Sequence, residues 1–91
     1  MTRRTYRVVW APAAKRALER LPGKASFAAI EFVYGPLTTN PAQAGKPLRH
    51  EFEGMHSAHR GDFRILYRID AKRGLVHIDT IRHRADVYRP R

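Results

Sequence analysis

Cysteine is absent from the 91 residues of this chain. Disulfide bonds and thiolate metal sites are therefore excluded. There is also no run of about eighteen apolar residues, which a membrane-spanning helix would need, and residues 1–6 lack the apolar stretch of a signal peptide. We therefore expect a cytoplasmic protein with no membrane partner.

Acidic residues are scarce, at 8 Asp and Glu against 18 Lys and Arg, so the formal net charge is +10. Fourteen of the cations are arginine, whose planar guanidinium binds phosphate oxygens in pairs. A genome rich in arginine codons would account for the Arg/Lys ratio but not for the net charge. Two partners fit this composition, a nucleic acid and an acidic protein that neutralises the chain.

The distribution of carboxylates and histidines excludes several kinds of catalytic site. From residue 56 onward the few acids are not clustered, as a paired-carboxylate or two-metal phosphodiesterase site would require. The five histidines lack the spacing of metal ligands such as HxxxH or HExxH. We therefore expect neither a metal nor a cofactor.

The first half of the chain predicts one strand and two helices. Residues 5–10 are rich in β-branched and aromatic side chains and predict a strand. A helix follows from Pro12 to the break at Pro22-Gly23. Its apolar stripe consists of Ala14, Ala17, Leu18 and Leu21. A second helix over residues 24–34 ends at Gly35-Pro36, and its predicted apolar side consists of Phe27, Ile30, Val33 and Tyr34.

The second half predicts a loop and three strands. Residues 37–53 have the prolines and glycine of a loop, and residues 55–60 form a short strand. Residues 63–69 alternate apolar and polar side chains, and residues 75–81 return as their hairpin partner. The prediction is a single α+β domain over residues 1–91, in the order β-α-α-β-β-β. Its helical hairpin packs on one face of a small antiparallel sheet.

The sheet face away from the helices is predicted to be basic. If the apolar positions of residues 63–69 face the helices, Arg64 and Arg68 face the other way. A hairpin turn centred on residue 72 predicts Arg64 opposite Thr80 and next to Arg82. Neighbouring segments add His56, His59, Arg60, Arg84 and Arg89. Like charges this close are destabilising without a counter-anion, so this face is predicted to bind an anion.

These residue types suit metal-independent cleavage of RNA. A 2′-hydroxyl attacks the adjacent phosphate when a base removes its proton, cations stabilise the oxyanion, and an acid protonates the leaving oxygen. Histidine suits the proton transfers near neutral pH and arginine suits the phosphate. An aromatic side chain such as Tyr88 stacks on a base.

Four segments together resemble the RelE/ParE toxin superfamily. They are GKPLR at residues 45–49, Gly54, GDFRILYRI at residues 61–69 and HRADVYR at residues 83–89. The resemblance covers residues 6–89 and agrees with the predicted order of elements. It implies the toxin of a type II toxin–antitoxin pair, with a RelB-like antitoxin as partner and promoter DNA bound only through the antitoxin complex.

The resemblance also implies an activity and residue roles. RelE-like toxins cut mRNA in the A site of the 70S ribosome by the metal-independent 2′-hydroxyl route, whereas ParE-like toxins inhibit DNA gyrase. Arg64 matches the arginine that contacts the scissile phosphate in RelE-like toxins. Arg84 matches a second charge-stabilising arginine, and Tyr88 matches the tyrosine that stacks on the substrate base.

One departure from the family pattern concerns the strand before Gly61. Two basic residues usually flank one hydrophobic residue there, but this chain has Ser57 and His59, with Arg60 alongside. We predict His59 as the general base and Arg60 as support for the phosphate, although the departure leaves the base and acid unassigned. The predicted RNA- and ribosome-binding residues are Lys46, Arg49, Arg60, Arg68, Arg82 and His83.

Three functions remain as hypotheses, namely a ribosome-dependent mRNA endonuclease, a gyrase inhibitor without nuclease activity and a plain nucleic-acid-binding module. The first is favoured because Arg64, Arg84 and Tyr88 occur together with a nearby histidine.

Overall fold

The computed structural model describes residues 5–83, and this part of the chain forms one five-stranded sheet with helices on one face. The strands are β1 (Arg7–Trp10), β2 (Lys46–Pro47), β3 (His56–Arg60), β4 (Phe63–Asp70) and β5 (Leu75–His83). The helices are α1 (Pro12–Arg20), α2 (Gly23–Phe32) and the single turn α3 (Pro41–Ala44). None of these helices is both long and apolar enough to cross a membrane.

The strand order is β1-β5-β4-β3-β2, which confirms the predicted α+β fold and the predicted hairpin of β4 and β5. The expectation of a wholly antiparallel sheet is wrong, because β1 pairs with β5 in parallel. No tight turn joins β1 to β5, so hairpin geometry does not impose an antiparallel direction on this pair. The amide of Arg7 donates to the carbonyl of Gly74 at 2.8 Å, and the amide of Ala11 donates to that of Ile78 at 3.0 Å.

The core lies between the helices and the inner face of β4 and β5. Alternate residues of β4 are buried, as period-two patterning predicts. On β5 the buried residues Ile78 and Ile81 are three apart, because a β-bulge interrupts the register there. Tyr67 pairs with Ile78 and Leu66 pairs with Thr80, so Asp79 is left without a partner in the ladder. The bulge turns Ile81 back toward the core, whereas uninterrupted alternation would point it to solvent.

The second helix buries only part of the predicted apolar side. Of the predicted residues, Phe27 is 66% exposed and Tyr34 is 58% exposed, whereas Val33 is buried as predicted. Ala29 and Phe32, which were not predicted, are also buried. Apolar residues occur on most sides of this helix, so periodicity alone did not identify the buried face. The helical conformation also does not stop at Gly35-Pro36. It widens into a π-helical turn over Val33–Leu37, which changes the angular spacing of the side chains.

The predicted loop over residues 37–53 contains α3, β2 and a 3₁₀ turn at His50–Phe52. Tyr67 holds α3 to the sheet, since its buried hydroxyl donates to the carbonyl of Pro41 at 2.7 Å. At Gly45 the backbone then passes very close to β3 and β4. A Cβ added there would lie 2.6 Å from the Ser57 carbonyl oxygen and 2.7 Å from the Tyr67 hydroxyl. The loop prediction was wrong here because these elements depend on contacts with distant strands.

Replacing Tyr67 with phenylalanine tests this buried contact. Below about pH 10 the variant should be less stable by about 0.5–1.5 kcal/mol, because the hydrogen bond to Pro41 is lost. Burial raises the pKa of Tyr67 from 10.0 to about 12. The unfolded wild type therefore loses this proton before the folded protein does, and the stability that Tyr67 contributes decreases between about pH 10 and pH 12.

The measurement is urea unfolding of wild type and Tyr67→Phe across this pH range. The difference in unfolding free energy should fall as the pH rises, by at most about 1.4 kcal/mol per pH unit. A difference that stays constant up to pH 12 would contradict this explanation.

Candidate nucleic-acid interface

Three basic side chains form one row across the open face of the sheet. His59 on β3 pairs with Arg64 on β4, which in turn pairs with Arg82 on β5. Directly opposed residues have Cβ atoms roughly 4.5–5.5 Å apart and share one face of the sheet. All three are exposed. We refer to His59, Arg64 and Arg82 as the basic row.

The predicted partner of Arg64 was wrong by two residues. The turn after β4 closes with Asp70 opposite Leu75, which shifts the pairing by one residue from a turn centred on residue 72. The bulge at Asp79 adds one more. Arg82 therefore takes the place opposite Arg64 that was predicted for Thr80, so two guanidinium groups share one row.

The basic row has no internal counter-charge in the described part of the chain. The ion pairs found within residues 5–83 are Arg68–Asp79 and Arg73–Asp70, and neither includes a member of the row. Arg64 and Arg82 therefore repel each other unless an anion lies between them. Their guanidinium groups carry donors arranged to bind phosphate oxygens, so the row is suited to a phosphodiester backbone.

Arg68 shares the open face, but its guanidinium group already forms an ion pair with Asp79. Its Nε lies 3.2 Å from Asp79 Oδ2, and its Nη2 donates to Asp79 Oδ1 at 3.2 Å. Asp79 is the unpaired bulge residue, so the bulge that restores the core register also supplies this carboxylate. Arg68 is therefore less available to bind phosphate than the basic row is.

Two residues predicted for the open face lie on the helix side instead. His56 pairs with Tyr67, and their ring centroids are 5.5 Å apart. The Arg60 guanidinium carbon lies 4.6 Å from the centroid of the Phe32 ring on α2. Both are separated from His59 by an odd number of positions along β3, so strand alternation places them on the opposite face. Their predicted positions beside Arg64 were wrong for this reason.

Other predicted site residues are His83, Arg49 and three residues near the C-terminal end of the sequence. His83 pairs with the buried Phe63, so the register places it on the helix side. Arg49 is exposed in the segment between β2 and β3. The predicted catalytic residues Arg84 and Tyr88, together with Arg89, lie outside the described residues.

Lys46 occupies a place on the open face that was not predicted. It lies on β2 opposite Ser57, which shares the face of His59 and Arg64. It is exposed and has no acidic partner among residues 5–83. The strand β2 has only two residues, too few to show any periodicity, so sequence patterning predicted Lys46 to lie in a loop.

Comparison with known proteins agrees with this fold. The family model for the ParE toxin of the type II toxin–antitoxin system parDE matches residues 8–88. The chain belongs to the RelE/ParE toxin superfamily.

Two individual toxins and one solved structure are similar to most of this chain. Toxin RelE of Mycobacterium tuberculosis is 49% identical over 84 residues, which cover 92% of this chain and 87% of the relative. Toxin RelG of the same organism is 45% identical over 84 residues, covering 92% and 97%. The crystal structure of the toxin–antitoxin complex RelBE2 from M. tuberculosis contains a chain with 42% identity and a TM-score of 0.85, covering 88% of this chain and 99% of that one.

The opposed arginines lead to a test of stability. Replacing Arg82 with glutamine should raise the unfolding free energy by about 0.2–1 kcal/mol at low ionic strength, because it removes like-charge repulsion. Added phosphate should stabilise wild type more than the variant, because the anion binds between the two guanidinium groups.

The matched control is Arg7→Gln, since Arg7 is an exposed strand residue on the same face opposite the apolar Leu75. Urea unfolding with and without phosphate measures both variants. If Arg82→Gln and Arg7→Gln change stability equally under both conditions, the basic row is not an anion site.

Proposed function

We propose that this chain is the toxin of a type II toxin–antitoxin module and a ribosome-dependent endoribonuclease that cleaves mRNA in the A site. The observation that carries this proposal is the basic row, in which a histidine and two arginines share one exposed face. The names of the relatives, RelE and RelG, support the same activity class.

In the proposed reaction the histidine of the basic row acts as the base and the two arginines stabilise charge. His59 removes the proton from a 2′-hydroxyl, and the resulting oxygen attacks the adjacent phosphorus. Arg64 and Arg82 stabilise the negative charge that accumulates on the phosphate oxygens. The bond from phosphorus to the 5′-oxygen then breaks, leaving a 2′,3′-cyclic phosphate and a 5′-hydroxyl. No step needs a metal or cofactor.

Further residues extend the site. By resemblance, Arg84 adds a third charge-stabilising group and Tyr88 stacks on the substrate base. Lys46 and Arg49 bind the RNA of the substrate or the ribosome, which agrees with their exposure. Arg60 and His83 lie on the helix side of the sheet, so any contact they make with RNA is separate from the basic row.

We propose a RelB-like antitoxin as the protein partner. The matching structure from M. tuberculosis is a toxin–antitoxin complex, and the net charge of +10 favours a partner with acidic residues. Promoter DNA would be bound through the antitoxin in that complex. An mRNA on the 70S ribosome places the site of action in the cytoplasm.

Replacing Arg64 with alanine should reduce mRNA cleavage by roughly 10²–10³-fold, because the developing phosphate charge loses a positioned donor. The assay uses purified protein, bacterial 70S ribosomes holding a defined mRNA, and primer extension to locate the cut. His59→Gln should also lower the rate, whereas Arg7→Ala, on the same sheet face but outside the row, should cleave like wild type. If Arg64→Ala and His59→Gln cleave mRNA as fast as Arg7→Ala and wild type, the assigned roles are refuted.

A gyrase inhibitor without nuclease activity is the second candidate, because the matching family model is that of the ParE toxin. The same protein preparations can be added to a gyrase supercoiling reaction. Inhibited supercoiling together with intact ribosome-bound mRNA would favour this candidate over the nuclease.

A further inference from the structure

The proposed cleavage needs two proton transfers, but the basic row contains one group suited to them. One proton leaves the 2′-hydroxyl, and another must reach the departing 5′-oxygen. Arginine does not give up its proton in proteins, so Arg64 and Arg82 serve as fixed charges. With His59 as the base, the acid must come from another residue.

Lys46 is a lysine on the open face close enough to the basic row to supply such an acid. It faces Ser57 across the β2–β3 pair, so it is the diagonal neighbour of His59 on the same face. Diagonal positions have their residues roughly 7–8 Å apart, which a long side chain spans. Ser57 is small, so the lysine stem has room to extend toward the basic row.

The backbone around Lys46 is held in place on both sides. On one side, Gly45 makes the close approach to Ser57 and Tyr67 that leaves no space for a Cβ. On the other side, Pro47 has a restricted φ angle, and the amide of Leu48 donates to the carbonyl of Met55 at 2.8 Å. The exposed Lys46 side chain therefore extends from an anchored backbone and has no acidic partner among the described residues.

We propose that Lys46 is a catalytic residue, the general acid that protonates the leaving 5′-oxygen. This inference rests on the proposed nuclease function. As the bond from phosphorus to the 5′-oxygen breaks, the ammonium group gives one proton to that oxygen and becomes a neutral amine. The amine then takes up a proton from solvent and the protonated His59 releases one, so the enzyme returns to its starting state.

The test compares substrates that do and do not need this proton. Lys46→Ala should lower kcat by roughly 10²–10⁴-fold on ordinary mRNA in the ribosome assay. An mRNA with sulfur in place of the scissile 5′-oxygen has a leaving group that departs without protonation. On that substrate Lys46→Ala should cleave within a few-fold of wild type, whereas Arg64→Ala should remain slow.

Two further variants separate acid catalysis from charge. Lys46→Arg keeps the charge but not a transferable proton, so it should remain slow on ordinary mRNA. The double variant Lys46→Ala/Ser57→Lys returns an ammonium group to the facing position and should regain at least tenfold over Lys46→Ala. Lys24→Ala, which changes an exposed lysine of α2, is the matched control and should behave like wild type.

The outcomes distinguish failure of this inference from failure of the proposed function. Wild-type cleavage with an equally active Lys46→Ala or Lys46→Arg would overturn the role of Lys46 and leave the nuclease in place. Lack of recovery on the sulfur-containing substrate would do the same. If wild type cuts neither substrate, the nuclease proposal fails and this inference fails with it.

Discussion

The burial of Tyr67 is the interaction on which the arrangement of the open face depends. Its ring is fully buried beneath the helices, and its hydroxyl holds α3 through the Pro41 carbonyl. The hydroxyl also lies so close to Gly45 that any larger residue at this position would collide with it. This contact sets the path of the chain into β2 and therefore the position of Lys46. A tyrosine within the YRI motif thus has a structural task on the face opposite the proposed chemistry.

The bulge at Asp79 also connects the packing of the core to the arrangement of the arginines on the open face. Ile78 and Ile81 are both buried only because one extra residue interrupts the ladder between them. The same extra residue places Arg82 opposite Arg64 and supplies the carboxylate that pairs with Arg68. Apolar packing on one face thereby decides which arginines stay unpaired on the other. We expect repulsion between Arg64 and Arg82 to destabilise the free protein, and we propose that bound RNA offsets this effect.

Much of the fold was predictable because its signals are local. The stripe of α1, the break at Pro22-Gly23 and the alternation along residues 63–69 each involve near neighbours in sequence, and the structure confirms them. The elements between residues 37 and 53 were missed because they depend on contacts with distant strands. The buried side of the second helix was only partly predicted, because apolar residues occur around most of that helix.

By itself the sequence determined the α+β class, the excess of arginine and the motifs by which the toxin superfamily is recognised. It also placed Arg64 on the face away from the helices, since alternation in a strand is a local property. Only the tertiary structure decided that Arg82 faces Arg64, that Arg60 stacks on Phe32 and that Lys46 faces Ser57. The physical reason is that strand register and pairing come from the turn, the bulge and the packing of remote segments, none of which is encoded in the spacing of neighbouring residues.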